Sequence, residues 1–325
     1  KKSTWMATTP SPPLIRSYSR RRVVSFSVFG TSELYTKGAI ANAILLPSIY
    51  PGWVGRFYLA DDVPDQIVSM LVNMPEIEVV RFSRSEWPGR TAQVLRFFPA
   101  SEPGIDAVVV RDSDSRINLR EAACVSEWLS TIPPARFHLM HESMHNADYG
   151  EVMGGMWGAR AIEGEGSTNC PVPGLADAAM AFKADGGKVG CEDGGKSEIF
   201  DVAAADTSRS QVSSRQRDSS LCAEYGGDMA FLRAFVTPLL SADSCVHHVD
   251  GPDKERPLGA LSVPRRPFPK TPFQGFVGQP VNCACPPAAF LSTGCAHIRR
   301  SIPGELSSLV KGNSDILAAL GQFLG

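Results

Sequence analysis

Two aspartates, Asp112 and Asp114, directly follow an apolar run at 107–110. Four consecutive apolar, mostly β-branched residues predict a strand that is buried on both faces, as in parallel sheets covered by helices. Residues two apart share one face of a strand, so both carboxylates can converge on one hard cation at the strand's carboxyl end. The spacing favours a divalent metal site; the alternative is a turn in which Asp and Ser side chains cap backbone groups.

The segments around this pair alternate between strand and helix patterns. Strands are predicted at 23–29, 54–60, 77–82 and 137–140, and helices at 37–49, 64–74 and 93–98. After the aspartates, Asn118 is suited to cap a helix, and Glu121 three residues later approximates a capping box. This alternation predicts an α/β fold with a doubly wound sheet. Such sheets bind ligands outside the carboxyl ends of their strands, here near Gly30, Asp61 and Asp112.

Composition limits the class of protein. The chain has 325 residues, of which 43% are hydrophobic, enough to bury the core of one large domain or two small ones. Its net charge of −2 gives no whole-chain reason to expect a nucleic-acid partner. No run is long enough to span a bilayer. Residues 1–22 are Ser/Pro-rich and predict a linker, a transit-peptide remnant or the stem of a membrane anchor that precedes Lys1.

The cysteines are concentrated in the second half of the chain. Only Cys124 lies in the first half; the others are Cys170, Cys191, Cys222, Cys245, Cys283, Cys285 and Cys295. Late cysteines in Gly/Pro-rich surroundings favour disulfides and an oxidising compartment. Zinc binding by Cys283, Cys285, Cys295 and His297 is the alternative.

Periodicity is lost between residues 163 and 218, which we interpret as a Gly-rich excursion. Order returns at Asp228, which is suited to cap a helix that contains Phe231, Leu232 and Phe235.

Several short motifs occur in one order along residues 23–281. They are VSFSVFG at 24–30, YPGW at 50–53, RFY at 56–58, RFFPA at 96–100, RDSDSR at 111–116, REAA at 120–123, EW at 127–128, GGMWG at 154–158, YGGD at 225–228, FL at 231–232, RPFP at 266–269 and GFVG at 275–278. The series resembles a family of GT-A-type glycosyltransferases with a D-x-D motif that is found in algae, large viruses and bacteria.

The resemblance implies a GT-A-like mixed sheet, a Rossmann-like nucleotide-sugar domain, over 23–281. The remaining residues, 282–325, would form a Cys-containing tail with a C-terminal helix. The implied activity is transfer of a sugar from a nucleotide-diphosphate donor to a glycan or protein hydroxyl. Asp112 and Asp114 would hold Mn²⁺ or Mg²⁺ on the donor diphosphate, and His247 would be a further metal ligand. The alternative for His247 is a surface turn.

The resemblance also implies roles for other residues near the strand ends. Asp228 would be the general base of an inverting reaction or a sugar ligand in a retaining one, and helix capping is the alternative. The base and ribose would be contacted by Phe29, Gly30, Thr31 and Asp61. The phosphates or the acids would be contacted by Arg96 and Arg111. The sugar or the acceptor would be contacted by Gly154, Gly155 and Trp157. Trp157 as a core residue is the alternative to a stacking role.

Two departures from the family pattern concern the substrate. Glu142 replaces an Asp of the family's Arg-Asp-His segment, and the 163–218 region is longer than in the family. A non-catalytic scaffold subunit of a larger assembly is the alternative to an enzyme. We expect a location in the Golgi or secretory lumen, with another organelle or the cytoplasm as the alternative.

Overall fold

The computed structural model describes residues 21–142, 152–162, 169–187, 227–250 and 263–270. Residues 1–20 of the predicted 1–22 linker lie outside these residues, as do the 282–325 tail and the zinc candidates. The last two residues of that linker, Arg21 and Arg22, instead begin the first strand. The elements, in chain order, are β1 (Arg21–Val28), α1 (Glu33–Ile49), β2 (Val54–Ala60), α2 (Asp65–Val72), β3 (Ile77–Phe82), a 3₁₀ helix (Gly89–Ser101), β4 (Ile105–Val110), α3 (Leu119–Leu129), β5 (Phe137–Glu142), β6 (Trp157–Arg160), α4 (Leu175–Ala184), α5 (Gly227–Phe235), a short 3₁₀ turn (Thr237–Leu239), β7 (Cys245–Asp250) and β8 (Arg265–Arg266).

The described strands form one mixed sheet in the order β3-β2-β1-β4-β6-β5-β7-β8. Strand β6 runs antiparallel to both of its neighbours. Every other pairing is parallel. The predicted α/β class is confirmed, and the mostly parallel sheet is compatible with a Rossmann-like glycosyltransferase fold.

Helices cover both faces of the sheet, as alternate residues of β4 show. Val108 and Val110 belong to one hydrophobic cluster, which includes residues of the long 3₁₀ helix, α4 and α5. Ala107 and Val109 belong to a second cluster, which includes residues of α1, α2 and α3. The fully buried apolar run before the aspartates is therefore the centre of a three-layer core, as its composition predicts.

The capping prediction for α3 is confirmed in part. The Asn118 side chain accepts hydrogen bonds from the backbone N–H groups of Arg120 and Glu121, both at 3.0 Å. The capping box is incomplete, because the Glu121 carboxylate accepts hydrogen bonds from Tyr50 and Arg111 instead of from the Asn118 backbone.

Strands β6, β7 and β8 and helix α4 were not predicted; the patterns of β6 and α4 are short or weak. Strand β6 has four residues, one of which is Gly158. A Cβ at Gly158 would lie 2.8 Å from the carbonyl oxygen of Val108, so the close strand approach requires glycine. Helix α4 lies inside the region predicted to be irregular, and its Leu175, Ala179 and Phe182 are buried.

The cysteine prediction is wrong where the structure tests it. Cys124, Cys170 and Cys245 are buried free thiols, and no disulfide occurs among the described residues. Burial raises the pKa of the Cys245 thiol to about 12, so it stays protonated at neutral pH. Within the described ranges, no helix combines the length and apolar character needed to cross a membrane.

Candidate functional site

The candidate site lies where the sheet order reverses. Strands β1 and β4 are parallel neighbours, and the chain continues from β1 to β2 on the opposite side of β1 from β4. The helix connections diverge at such a point and leave a crevice at the carboxyl ends of the strands. Asp112 follows β4 there, and Phe29 and Gly30 follow β1.

Arg96 joins two of the predicted acids. Its guanidinium forms ion pairs with Asp112, after β4, and with Asp228 of α5, the latter at 2.6 Å between Nη2 and Oδ2. It also donates to the carbonyl oxygen of Arg111 at 3.2 Å. Burial lowers the pKa of Arg96, but the two carboxylates raise it by more. The arginine therefore stays charged and fixes Asp112 and Asp228 next to each other.

Two glycines leave room for these acids. A Cβ at Gly154 would overlap the Asp228 carboxylate and lie 2.7 Å from Arg96 Nη2. A Cβ at Gly155 would overlap the Asp112 carboxylate and lie 2.9 Å from the Asp112 backbone nitrogen. The segment before β6 therefore approaches the acids as bare backbone.

Asp112 and Asp114 form a pair that fits a divalent cation. Burial, followed by the charge of Asp112, raises the pKa of Asp114, so the two carboxylates are close enough to repel. Asp112 keeps 42% of its side chain exposed despite its ion pair. Two neighbouring carboxylates can share a cation, and Mg²⁺ takes most of its other ligands from water and phosphate.

His247 is not a third ligand of this pair. Val110, Trp157, Leu139 and His247 are consecutive partners across the sheet. Three strand spacings of about 4.8 Å place His247 roughly 14 Å from the end of β4. No group of three or more His, Cys, Asp and Glu side chains suited to a metal occurs among the described residues.

The alternative for His247, a surface turn, is also wrong. His247 lies inside β7 and is buried, and its Nε2 is 2.7 Å from Nδ1 of His141. Burial, followed by the charge of His141, lowers the pKa of His247 to about 2. The imidazole is therefore a neutral core residue.

Arg111 is buried and binds neighbouring elements of the fold. Its buried guanidinium donates to Glu121 at 3.0 Å and to the carbonyl oxygen of Val110 at 2.7 Å. Tyr50 donates to the same Glu121 oxygen at 2.9 Å. Arg111 therefore anchors the end of β4 to α1 and α3. The prediction that it pairs with phosphate or with the two aspartates is wrong.

Trp157 is a core residue. Its ring is fully buried and packs edge-on against Phe97, with centroids 5.4 Å apart. A ring with no exposed face cannot stack on a sugar, so the stacking prediction is wrong and the alternative holds.

The ends of β1, β2 and β3 form a second polar group. The Gly30 N–H donates to Asp62 at 2.7 Å, and Asp61 accepts hydrogen bonds from the Ser83 hydroxyl and the Arg84 N–H at 2.7 and 3.0 Å. These two bonds lower the pKa of Asp61, the backbone bond most.

Phe29 is part of the same group. The Arg84 guanidinium lies over its ring at 4.6 Å from the centroid. Thr31 is exposed at the end of this group. The predicted base and ribose contacts are therefore neighbours in space.

Asp228 and Glu142 each make a contact with a helix. Asp228 lies within the first turn of α5, and its Oδ1 accepts from the adjacent Met229 N–H at 3.0 Å. Glu142, the departure from the family pattern, ends β5 and pairs with Arg120. Glu142 is therefore part of the packing between β5 and α3.

Sequence reasoning missed Asn42 and Arg84. Asn42 is a fully buried amide in an otherwise apolar stretch of α1, and that polar interruption was the available signal. Arg84 carries no such signal, because an arginine among Ser83, Ser85 and Glu86 after a strand is typical of an exposed loop.

No protein-family model and no curated protein matches this chain. Among solved structures, it is similar to the mannosyltransferase PcManGT from Pyrobaculum calidifontis, determined in complex with GDP-Man and Mn²⁺, with 12% sequence identity and a TM-score of 0.33. The match covers 50% of this chain and 53% of that one, so it spans about half the length of the mannosyltransferase.

Proposed function

We propose that this protein is a metal-dependent glycosyltransferase that moves a sugar from a nucleotide-diphosphate donor to a hydroxyl of a glycan or protein. One observation supports this most: Arg96 brings Asp112 and Asp228 together at the reversal of the sheet order, beside Asp114. A metal-binding pair, a fixed guanidinium and a further carboxylate are the groups that a nucleotide-sugar transferase needs.

Asp112 and Asp114 would hold Mn²⁺ or Mg²⁺. The cation would supply positive charge to the leaving nucleoside diphosphate. The absence of a side chain at Gly155 lets the Asp112 carboxylate pack directly against its backbone. Asp112 is the more exposed of the two carboxylates that pair with Arg96, at 42% of the side chain against 9% for Asp228.

Arg96 would position two carboxylates beside the donor. Its terminal nitrogens bind Asp112 and Asp228. The side chain is only 5% exposed, so we assign it to holding these acids and not to a direct phosphate contact.

The second polar group would hold the nucleoside. Asp61 is a charged acceptor at the end of β2, and the Phe29 ring and Arg84 guanidinium present flat faces next to it. A base can stack on either plane, while carboxylate oxygens accept hydrogen bonds from base or ribose groups. Asp228 and the backbone at Gly154 would then face the sugar or the acceptor hydroxyl.

Nucleotide-sugar hydrolysis tests this proposal. Sugars linked to UDP or GDP are incubated with the purified protein and Mn²⁺, and the released nucleotide is measured, because water replaces the acceptor slowly in such enzymes. Hydrolysis of at least one donor that needs Mn²⁺ and is lost in Asp228→Asn supports the enzyme. No hydrolysis together with no metal-dependent nucleotide binding would exclude it and favour the scaffold alternative.

A further inference from the structure

Helix α1 carries a buried amide that contacts the backbone on both sides of Asp114. Asn42 is fully buried. Its Nδ2 donates to the carbonyl oxygen of Ser115 at 2.8 Å and to that of Ser113 at 3.4 Å. Its Oδ1 accepts from the Ile117 N–H at 3.1 Å. The amide therefore uses both its donor and its acceptor on the segment that carries Asp114.

The helix backbone also touches this segment one turn earlier. A Cβ at Gly38 would overlap the carbonyl oxygen of Ser113 and lie 3.0 Å from Arg116 Nη1. The same Arg116 nitrogen donates to the carbonyl oxygens of Ser113 and Ser115 at 3.1 and 3.0 Å. Gly38 and Asn42 are four residues apart, so they lie on one face of α1.

We propose that Asn42 and Gly38 are positioning residues for the cation site, and that they set its affinity by fixing the backbone between Asp112 and Ile117. The inference rests on the proposed function, since it assigns a role toward the cation. Without Asn42 the Ile117 N–H would lose this acceptor, and the carbonyl oxygens of Ser113 and Ser115 would lose one of their donors. An amide side chain can serve both types of backbone group at once.

Rigidity of this segment matters because the segment carries both acids. Asn42 and Gly38 hold its backbone at Ser113, Ser115 and Ile117, so a loosened segment would let the two carboxylates move apart. A cation then has to pull them together again, and its affinity falls. Residues that orient metal ligands typically change metal affinity by about 10- to 100-fold when they are replaced.

Mn²⁺ binding by two variants tests the inference: one variant removes hydrogen bonds and the other adds a methyl group. Asn42→Ser removes the bonds to the segment, whereas Gly38→Ala keeps every polar group and pushes a methyl group against Ser113. Titration calorimetry with Mn²⁺ alone, and thermal unfolding, are measured for both variants and for the wild type. Each variant is expected to bind Mn²⁺ about 10-fold more weakly or worse.

Thr131→Val is the matched control for lost stability. The Thr131 hydroxyl donates to the carbonyl oxygen of Trp128 and accepts from Ala135 and Arg160, so this variant also loses three hydrogen bonds. It lies before β5, at the opposite end of the parallel strands from Asp112. It should melt at a lower temperature and bind Mn²⁺ as the wild type does.

The outcomes separate the two proposals. If the wild type binds no Mn²⁺, with or without UDP and GDP, the proposed function fails first. If the wild type binds Mn²⁺ and both variants bind it equally well, Asn42 and Gly38 serve only the fold and the inference is overturned. If one of the two variants does not fold, the other decides.

Discussion

Arg96 and Asp228 lie 132 positions apart in the chain, yet they form an ion pair in which both side chains are at least nine-tenths buried. Such pairs contribute little net stability, because desolvation of the charges offsets their attraction. Breaking one is costly, since a buried charge is left alone. The pair therefore fixes the position of Asp228 and adds little to the stability of the fold.

A double-mutant cycle measures how strongly the two residues depend on each other. Arg96→Met leaves Asp228 buried without its cation, and we expect a loss of about 3 kcal/mol in the free energy of unfolding by urea. Asp228→Asn removes the charge that Arg96 neutralises. The double variant should be more stable than the sum of the two single losses implies; simple additivity would show that the two groups do not interact.

Gly155→Ala tests the close packing of Asp112 against the Gly155 backbone. The new methyl group would collide with the Asp112 carboxylate and with its backbone nitrogen, which cannot rotate away. We expect the affinity for Mn²⁺ with nucleotide to fall about 10-fold or more, as measured by calorimetry.

Gly52→Ala is its control. Gly52 has a positive φ of 77° with open space at the position of an alanine methyl group. It lies before β2, so the change strains the backbone at the opposite end of the parallel strands from the acids. Equal binding by Gly155→Ala and the wild type would mean that the acids do not bind the cation at this point.

At the scale of elements, β5 and β7 carry two buried histidine pairs. His141 Nδ1 lies 2.7 Å from His247 Nε2, and His138 Nε2 lies 2.8 Å from His248 Nδ1. Burial lowers the pKa of His138, His247 and His248 below the ordinary value. These strands therefore pack with neutral imidazoles.

Acid should weaken this part of the sheet. A histidine whose pKa is lowered in the folded state stabilises the fold fully above its unfolded pKa of about 6.5 and loses that contribution as the pH falls. For His247, whose folded pKa is about 2, the slope should be about 1.4 kcal/mol per pH unit below pH 6. Urea unfolding of His247→Asn between about pH 6 and pH 5 should show a slope smaller by one proton; an unchanged slope would contradict the assignment.

Periodicity and composition predicted the elements whose own residues show a clear strand or helix pattern. The bounds of β2 and β3 match the predicted 54–60 and 77–82, because each strand is a short apolar run between turn residues. The segment predicted as a helix at 93–98 is part of a longer 3₁₀ helix that contains Pro99. Strand β6 was not predictable, since four residues with a glycine have no period and pair only through tertiary contacts.

The candidate site was predicted to a different extent for each residue. Asp112 and Asp114 were identifiable because their position after a buried strand places them at the sheet edge. His247 and Trp157 were misassigned, since sequence spacing does not report which strand lies between two residues or which ring is buried. The contacts of Asn42 depend on how α1 packs against the segment after β4, which no local pattern encodes.

At the scale of the whole molecule, the sheet order explains why distant segments meet. Strands β1 and β4 pair in parallel, β2 and β6 extend the sheet on opposite sides, and the long 3₁₀ helix packs across β1 and β4 with Arg96. Residues that follow β1, β4 and β2 therefore share one edge. The nucleoside, diphosphate and sugar of a donor would lie along that edge in this order, from Phe29 through Asp112 to Asp228.

We propose that Asp112 and Asp114 hold a cation on a nucleotide. Thermal unfolding with Mn²⁺ and either UDP or GDP tests it, alongside the Asp112→Asn, Asp114→Asn double variant. A nucleotide at about a hundred times its Kd should stabilise the wild type by about 2.7 kcal/mol and raise its Tm, only when Mn²⁺ is present. The double variant should show no shift. A wild type unaffected by either nucleotide, or a double variant that keeps the shift, would contradict the account.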